Sequence, residues 1–318
     1  MTHLRRLPAI LLWTAFAVLT LWTLLRLTGW DTWYPAVQLL AFTPYAVPVA
    51  LVCVLVAALM KRWRATIALG VTTAALLVCV LPREIPGSGP TGGTVLRVAT
   101  SNLQFGWATP QAVMDRARAS DVDVLAVQEM TPEWLTAADA AGISALFPYR
   151  SVQPSLGAEG SGVFSRYPLT DTGARHMGDG WFYQAYGTVT RDGTSVRVES
   201  AHAASPYDAR VTAMWGPVFA KEPGATPDGP LSVLLGDFNA TLDHSVLRKL
   251  IATGYRDAAS VRGDGLIGTW GPYYDKPLPP IAIDHVLADS RIGVAGVSAY
   301  QVAGTDHRFL TASLYLPS

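Results

Sequence analysis

The chain's 318 residues are half apolar, only 15% of them are charged, and 24 Lys and Arg balance 24 Asp and Glu, a composition too hydrophobic for an ordinary soluble domain. The neutral total hides an uneven split: residues 1 to 64 hold six basic residues and one acidic, whereas residues 91 to 318 hold 17 basic and 22 acidic. A net negative C-terminal region speaks against a surface built to grip a nucleic-acid backbone.

The first elements are apolar. No charge occurs between Arg6 and Arg26, between Asp31 and Lys61, or between Arg64 and Arg83, and each interval approaches or exceeds the roughly 20 residues a helix needs to cross a bilayer core. Three transmembrane helices are expected in a membrane domain over residues 1–84, with Pro44 and Pro48 as tolerated kinks in the second. A cleaved signal peptide fits less well, because the first run is long, lacks a small-x-small site and is followed by two more. Arg5, Arg6 and the "KRWR" at 61–64 place the N-terminus and that loop in the cytoplasm. Trp30, Trp33 and Tyr34 then belong at the outer interface, and everything after Arg83 lies outside the cytoplasm. Cys53 and Cys79 both fall in these spans, so no disulfide framework is available to the rest of the chain.

A Pro/Gly/Ser stretch over residues 85–94 reads as a linker, whose reach even when extended stays within roughly 40 Å. From residue 95 to 318 short β-rich runs alternate with helical ones, as in one α/β domain. Strands are expected at "VLRVAT", "VDVLAVQ", "GVFSR", "YGTVTR", "SVRVESAH", "LSVLLG", "IDHVLA", "GVSAYQVA" and "FLTASLYL". Helices are expected after Thr109-Pro110 and Thr131-Pro132 and from Tyr207 and His244.

Polar residues stand at the ends of these strands. Asn102 follows "RVATS", Glu129 follows "VLAVQ", His202 follows "RVESA", Asp237 and Asn239 follow "VLLG", Asp284 and His285 follow "IAI", and Asp306 and His307 precede "RFL". Any one of them has an ordinary explanation as a turn former or packed imidazole. Their recurrence at five or more strand ends points to one shared sheet edge. Hard divalent cations such as Mg²⁺ or Mn²⁺ prefer oxygen ligands, which Glu129, Asn102 and Asp306 offer. Asp237 suits a residue that orients or deprotonates water, Asn239 one that holds water or phosphate. Asp284 can support His307, and His202 can donate to a phosphoryl oxygen or leaving group. Metalloprotease, nucleophile-elbow, P-loop and cysteine-pair chemistries lack their motifs.

The ordered segments "SNLQFG", "VQEM", "SGVFSRYPL", "SAHAASP", "GDFNA", "IDHVLA" and "TDHRF" resemble the endonuclease/exonuclease/phosphatase, DNase I-like, superfamily over roughly residues 95 to 318. The resemblance implies a four-layer α/β sandwich, with Asn102 and Glu129 near the metal and His202 and His307 facing phosphate. It implies Asp237 and Asn239 at the attacking water, Asp306 on metal or water, and Asp284 behind His307. It also aligns Glu159 with an acid that supports the first histidine. Three apolar spans before such a domain further resemble the VanJ-type teicoplanin-resistance proteins, which act on membrane-bound prenyl pyrophosphates, although "HAAS" replaces the usual Pro after the first histidine. The expected activity is hydrolysis of a lipid-linked phosphate outside the cytoplasm. A tethered nuclease and an inactive binding module are the alternatives. The aromatic runs "WFYQAY" (181–186) and "TWGPYY" (269–274) are candidates for a lipid-facing rim.

Overall fold

The computed structural model describes residues 2–177, 182–271 and 278–317. The N-terminal segment forms α1 (Thr2–Thr28), α2 (Ala36–Leu40), α3 (Thr43–Leu59) and α4 (Trp63–Val80), the last continued by a 3₁₀ turn at Leu81–Glu84. Leu7–Thr28 and Trp63–Glu84, 22 residues each, are long and apolar enough to cross a membrane. The second expected span differs. Pro44 lies in the first turn of α3 rather than kinking a longer helix, because its missing N–H is harmless there. The 17 residues from Thr43 to Leu59 rise about 26 Å, short of the roughly 30 Å hydrocarbon core.

Leu12, Leu19, Ala46, Ala50, Ala57 and Leu69 pack α1, α3 and α4 together, the small side chains allowing close backbone approach. The outward faces leave Leu21, Val52, Leu55, Ile67, Val71 and Val78 exposed. So broad an apolar surface marks a region covered by something other than water.

The remaining chain runs β1 (Val95–Asn102), α5 (Pro110–Ala119), β2 (Val124–Gln128), α6 (Pro132–Ala140), α7 (Ile143–Leu146), β3 (Tyr149–Gln153), β4 (Ser161–Ser165), β5 (Leu169–Met177) and β6 (Phe182–Arg191). It continues through β7 (Thr194–His202), α8 (Ala209–Phe219), β8 (Leu231–Asp237), α9 (Ser245–Ile251), β9 (Tyr255–Asp257), α10 (Ala258–Arg262), β10 (Asp284–Asp289), β11 (Gly293–Gln301) and β12 (Arg308–Tyr315). Two six-stranded sheets result, ordered β11-β12-β1-β2-β4-β3 and β5-β6-β7-β8-β10-β9. Each has one parallel pair at its centre, β1 with β2 and β7 with β8, and antiparallel pairs elsewhere.

Val98, Val124 and Val163 of the first sheet meet Val196, Val198, Val233 and Val286 of the second in one core. The opposite face of the first sheet packs through Leu125, Val127 and Phe164 on Val113, Met114 and Trp134 of α5 and α6. The opposite face of the second packs through Leu234 and Leu287 on Trp215, Phe219 and Leu247 of α8 and α9. Helix, sheet, sheet, helix is the four-layer sandwich expected from the sequence. All nine expected strands are present. The strands not anticipated, β3, β5 and β9, are all at sheet edges, where a half-solvated strand needs no apolar run.

The expected linker does not hang free. Gly87 N donates to Val261 O at 2.9 Å and Arg256 Nη1 to Ser88 O at 3.0 Å. The segment is laid along the domain, so its extended length does not set the distance between helices and sandwich.

Candidate active site

The parallel pairs bring their C-terminal ends to one edge of the sandwich. Asn102 ends β1, Glu129 follows β2, His202 ends β7 and Asp237 ends β8, with His202 and Asp237 paired in register. The antiparallel neighbours enter from that edge: Asp284, which opens β10, lies opposite Asp237, and His307 immediately precedes β12. Gly236 permits this register, since a Cβ there would lie 1.9 Å from Ala201 O. Glu129 and Asn239 leave their strands with φ of 59° and 47°, a left-handed conformation uncommon outside glycine and frequent where a functional site holds the backbone.

The buried Asn102 amide holds two carboxylates together, donating from Nδ2 to Glu129 Oε1 at 3.0 Å and Asp237 Oδ2 at 2.9 Å. Its own Oδ1 accepts from Gln104 N, and Glu129 Oε2 accepts from Phe105 N. Asn239 folds back on Asp237: its N–H donates to Oδ1 at 2.8 Å, and its Nδ2 donates to Ala203 O at 2.8 Å and to Asp237 Oδ2 at 3.2 Å. His307 donates from Nδ1 to both Asp284 oxygens at 3.1 and 3.0 Å. That leaves its Nε2 3.8 Å from Asp237 Oδ2 and 3.9 Å from Asp306 Oδ1. His202 Nε2 lies 3.8 Å from both Glu129 Oε1 and Asp237 Oδ2. Asp306 stands at the rim, where its Oδ2 accepts from Trp270 Nε1 at 3.1 Å.

These groups open into a cavity of about 310 Å³ also lined by Phe105, Phe182, Tyr207 and Trp270. Burial raises the Asp237 pKa, His307 pulls it down and Asp284 pushes it up again. At His307 burial opposes the charge, but Asp284 and Asp237 outweigh it and the pKa rises to about 10. Burial lowers the His202 pKa despite Glu129. The site therefore sets a charged His307 and a His202 that burial keeps neutral among acidic side chains. Glu129, His202 and Asp237 form one group able to hold a metal ion, and Asp237, Asp284 and His307 another. The donors are mainly carboxylate oxygen, and no Lys or Arg is among the described residues lining the cavity, so the set fits a hard divalent cation.

A model described as the endonuclease/exonuclease/phosphatase family matches residues 99–307. The chain belongs to that family. As a family member it is a hydrolase of phosphoester bonds. Solved structures share its fold: a humanized D. rerio TDP2 (TM-score 0.57, 13% identity, 69% of this chain and 98% of that one) and an AP endonuclease from Archaeoglobus fulgidus (0.56, 14%, 68% and 98%). A family protein from Beutenbergia cavernae aligns with TM-score 0.52 and 19% identity over 70% of this chain and 72% of its own. No curated protein sequence is similar enough to serve as a relative.

Asn102, Glu129, His202, Asp237, Asn239, Asp284, Asp306 and His307, all expected from sequence, meet at this edge. Two details differ from expectation. The Asn239 amide nitrogen is engaged by Ala203 O, after β7, and by Asp237, and Asp306 lies outside both metal-competent groups. Glu159 does not support His202: it is exposed and accepts from Ser155 Oγ. It is the backbone of neighbouring Ala158 that lies beside the His202 ring. His285 was noted at a strand end, but its buried partner Asp257 was not anticipated. His285 bonds Asp257 Oδ2 through Nδ1 (2.8 Å) and Ala240 O through Nε2 (2.9 Å); with an acceptor at each nitrogen it is doubly protonated. Its adjacency to Asp284 was the available signal. In the aromatic runs, Trp181, Tyr273 and Tyr274 lie outside the described residues, while Phe182 and Trp270 line the cavity.

Proposed function

We propose that this family member is a membrane-anchored phosphohydrolase that cleaves a phosphoester or pyrophosphate of a prenyl or related envelope lipid outside the cytoplasm, with Mg²⁺ or Mn²⁺. One observation carries the reading: the mouth of the cavity abuts the apolar N-terminal segment. Gln38 Nε2 donates to Pro206 O and Tyr207 O at 3.3 and 3.4 Å, and Trp270 packs with Ala41, Phe42 and Ile281. Phe105, Trp107 and Tyr207 are exposed there, side chains suited to a lipid interface. No Lys or Arg is among the described residues lining the cavity, which disfavours a polyanionic strand.

Topology supports the same reading. Contacts to the sandwich come from Arg26, Asp31, Gln38, Tyr45 and Arg83, at the end of the helical bundle away from Lys61, Arg62 and Arg64. Reading α3, though short, as the return pass between α1 and α4, with the basic loop in the cytoplasm, puts the sandwich outside. An antibiotic-resistance role of the VanJ type is the physiological form of this proposal.

Glu129 and Asp237, with Asn102 between them and Asp306 nearby, would hold the cation. When bound it would neutralise a phosphoryl oxygen and stabilise charge in the transition state. Asp237 orients the attacking water and takes its proton, while Asn239 fixes the Asp237 carboxylate. His307, kept charged by Asp284, donates to a phosphoryl oxygen, and neutral His202 assists at the oxygen of the leaving group.

Phosphate release is the test, with the full chain given prenyl pyrophosphate and monophosphate in vesicles, and DNA in solution. Cation-dependent hydrolysis of the lipid phosphates, far above DNA cleavage, is expected. Efficient DNA cleavage with lipid phosphates untouched would establish a tethered nuclease, and no turnover of any substrate an inactive binding module.

A further inference from the structure

The loop after β8 has two halves with different partners. Gly236 to Asn239 carry the site, and Ala240 O is held by His285 Nε2 from within the sandwich. Thr241 to Ser245 are held by the N-terminal helices. Asp243, fully buried, accepts from Arg26 Nε on Oδ1 at 2.7 Å, from Arg83 Nη2 on Oδ1 at 2.7 Å and from Arg83 Nη1 on Oδ2 at 2.9 Å. Among the described residues its carboxylate makes direct ion pairs only with these helix arginines; Arg248 of the sandwich acts on it through space and donates to the backbone carbonyls of Asp243 and Arg26.

The next two residues are tied in the same way. His244 Nδ1 accepts from Thr241 N at 2.8 Å, so its proton sits on Nε2, which donates to Val37 O at 2.7 Å. Asp31 accepts from Ser245 N at 2.6 Å and from Ser245 Oγ at 2.5 Å, capping the first turn of α9. Val37 also packs in the apolar cluster that contains Phe238 and Ala240, directly beneath the turn bearing Asp237 and Asn239.

A buried carboxylate without its counter-charges is unstable. Undocked helices would strip Asp243 of both direct ion pairs, leaving only Arg248 nearby, and the loop would have to rearrange to solvate it. Asn239 is four residues away, connected through a closed Thr241–His244 turn in which His244 N donates to Thr241 O. Displacements of about 1 Å at reacting groups cost roughly 100-fold in rate.

We propose that Asp243 and His244 are positioning residues through which Arg26, Arg83 and Val37 of the N-terminal helices hold the catalytic loop in working geometry, making the helices part of the catalytic apparatus. The consequence for rate rests on the reading of Asp237 and Asn239 given above; the structural coupling does not. It applies to soluble substrates as well as lipids, which a simple tether would not.

The test uses the full chain in detergent micelles with a soluble aryl phosphodiester, an aryl phosphate and inorganic pyrophosphate, each with Mg²⁺ or Mn²⁺. Arg83→Met should lower kcat per folded molecule about 10-fold or more with KM changed less than about 3-fold, and Arg83→Lys should recover part of it. Amide hydrogen exchange over 236–245 should rise about 10-fold or more in Arg83→Met while β1 and β7 stay protected. Unchanged kcat together with unchanged exchange in a folded variant would overturn the proposal and leave the helices as an anchor. Should Arg83→Met not fold, Asp31→Ala, which removes two hydrogen bonds at Ser245 and leaves the Asp243 ion pairs in place, must show the same changes, and wild-type behaviour overturns the idea. A wild-type chain inactive on all three substrates would refute the hydrolase reading, while the exchange measurement would still decide whether the helices hold the loop.

Discussion

Asp284→Asn removes the charge behind His307 while keeping the shape of the side chain. Asp284 contacts Nδ1 with both oxygens at 3.0 and 3.1 Å in a buried setting, and a hydrogen bond between charged groups contributes about 1.5–3 kcal/mol net. That corresponds to roughly one to two pKa units at His307 and roughly 10- to 100-fold in rate if the imidazolium donates in the transition state. With a wild-type His307 pKa of about 10, the ring stays charged across neutral pH, and activity should not fall on this account below roughly pH 9. In Asp284→Asn the alkaline fall should move down to about pH 8–9. Initial rates on a soluble phosphodiester from pH 6.5 to 9 measure it. His307→Ala alone should cost roughly 100- to 10,000-fold, and the double variant should be within about 3-fold of it, since the two act as a unit. An unshifted alkaline limb, or losses that multiply in the double variant, would refute the coupling.

Glu129→Gln should abolish cation-dependent turnover and lower the calorimetric affinity for Mn²⁺ while far-UV circular dichroism stays native; full activity in chelator would remove the metal from the account. Burial, then the neighbouring Glu199, raises the Glu222 pKa to about 7 in spite of Arg175. A carboxyl raised in the folded state contributes stability that is complete below its unfolded value near 4.5 and is lost as pH rises through about 7. Chemical denaturation should therefore show a loss approaching about 3 kcal/mol between pH 5 and 8 that Glu222→Gln largely abolishes; a parallel pH profile in the variant would contradict this. Gly236→Ala should destabilise the sandwich by on the order of 4 kcal/mol, read as a fall in Tm, because Ala201 O occupies the space of the new Cβ. For topology, a reporter active only outside the cytoplasm should be active after Ser318 and silent when placed in the Lys61–Arg64 loop, and the reverse would overturn the charge-based orientation.

The local pattern determined much of this protein. Apolar runs such as "VLLG" and "VLAVQ" mark strands buried on both faces, and the polar residue that ends each run is conspicuous because a buried strand has no other use for it. Hence Asn102, Glu129, His202, Asp237 and His307 could be read from the chain with no coordinates. What the tertiary structure alone decided involves partners far apart in sequence. Edge strands β3, β5 and β9 carry no strong period because solvent takes half of each, so they become strands only by pairing. Glu159 matched a family position by spacing, yet its loop turns the carboxylate to solvent and brings the Ala158 backbone to His202 instead. Arg26 and Arg83 look in sequence like charges flanking apolar helices, and Asp243 like a loop acid. Their ion pairs span 217 and 160 residues, and no periodicity or motif records such pairs, because what makes them favourable is the burial that only the docked helices and sandwich create together.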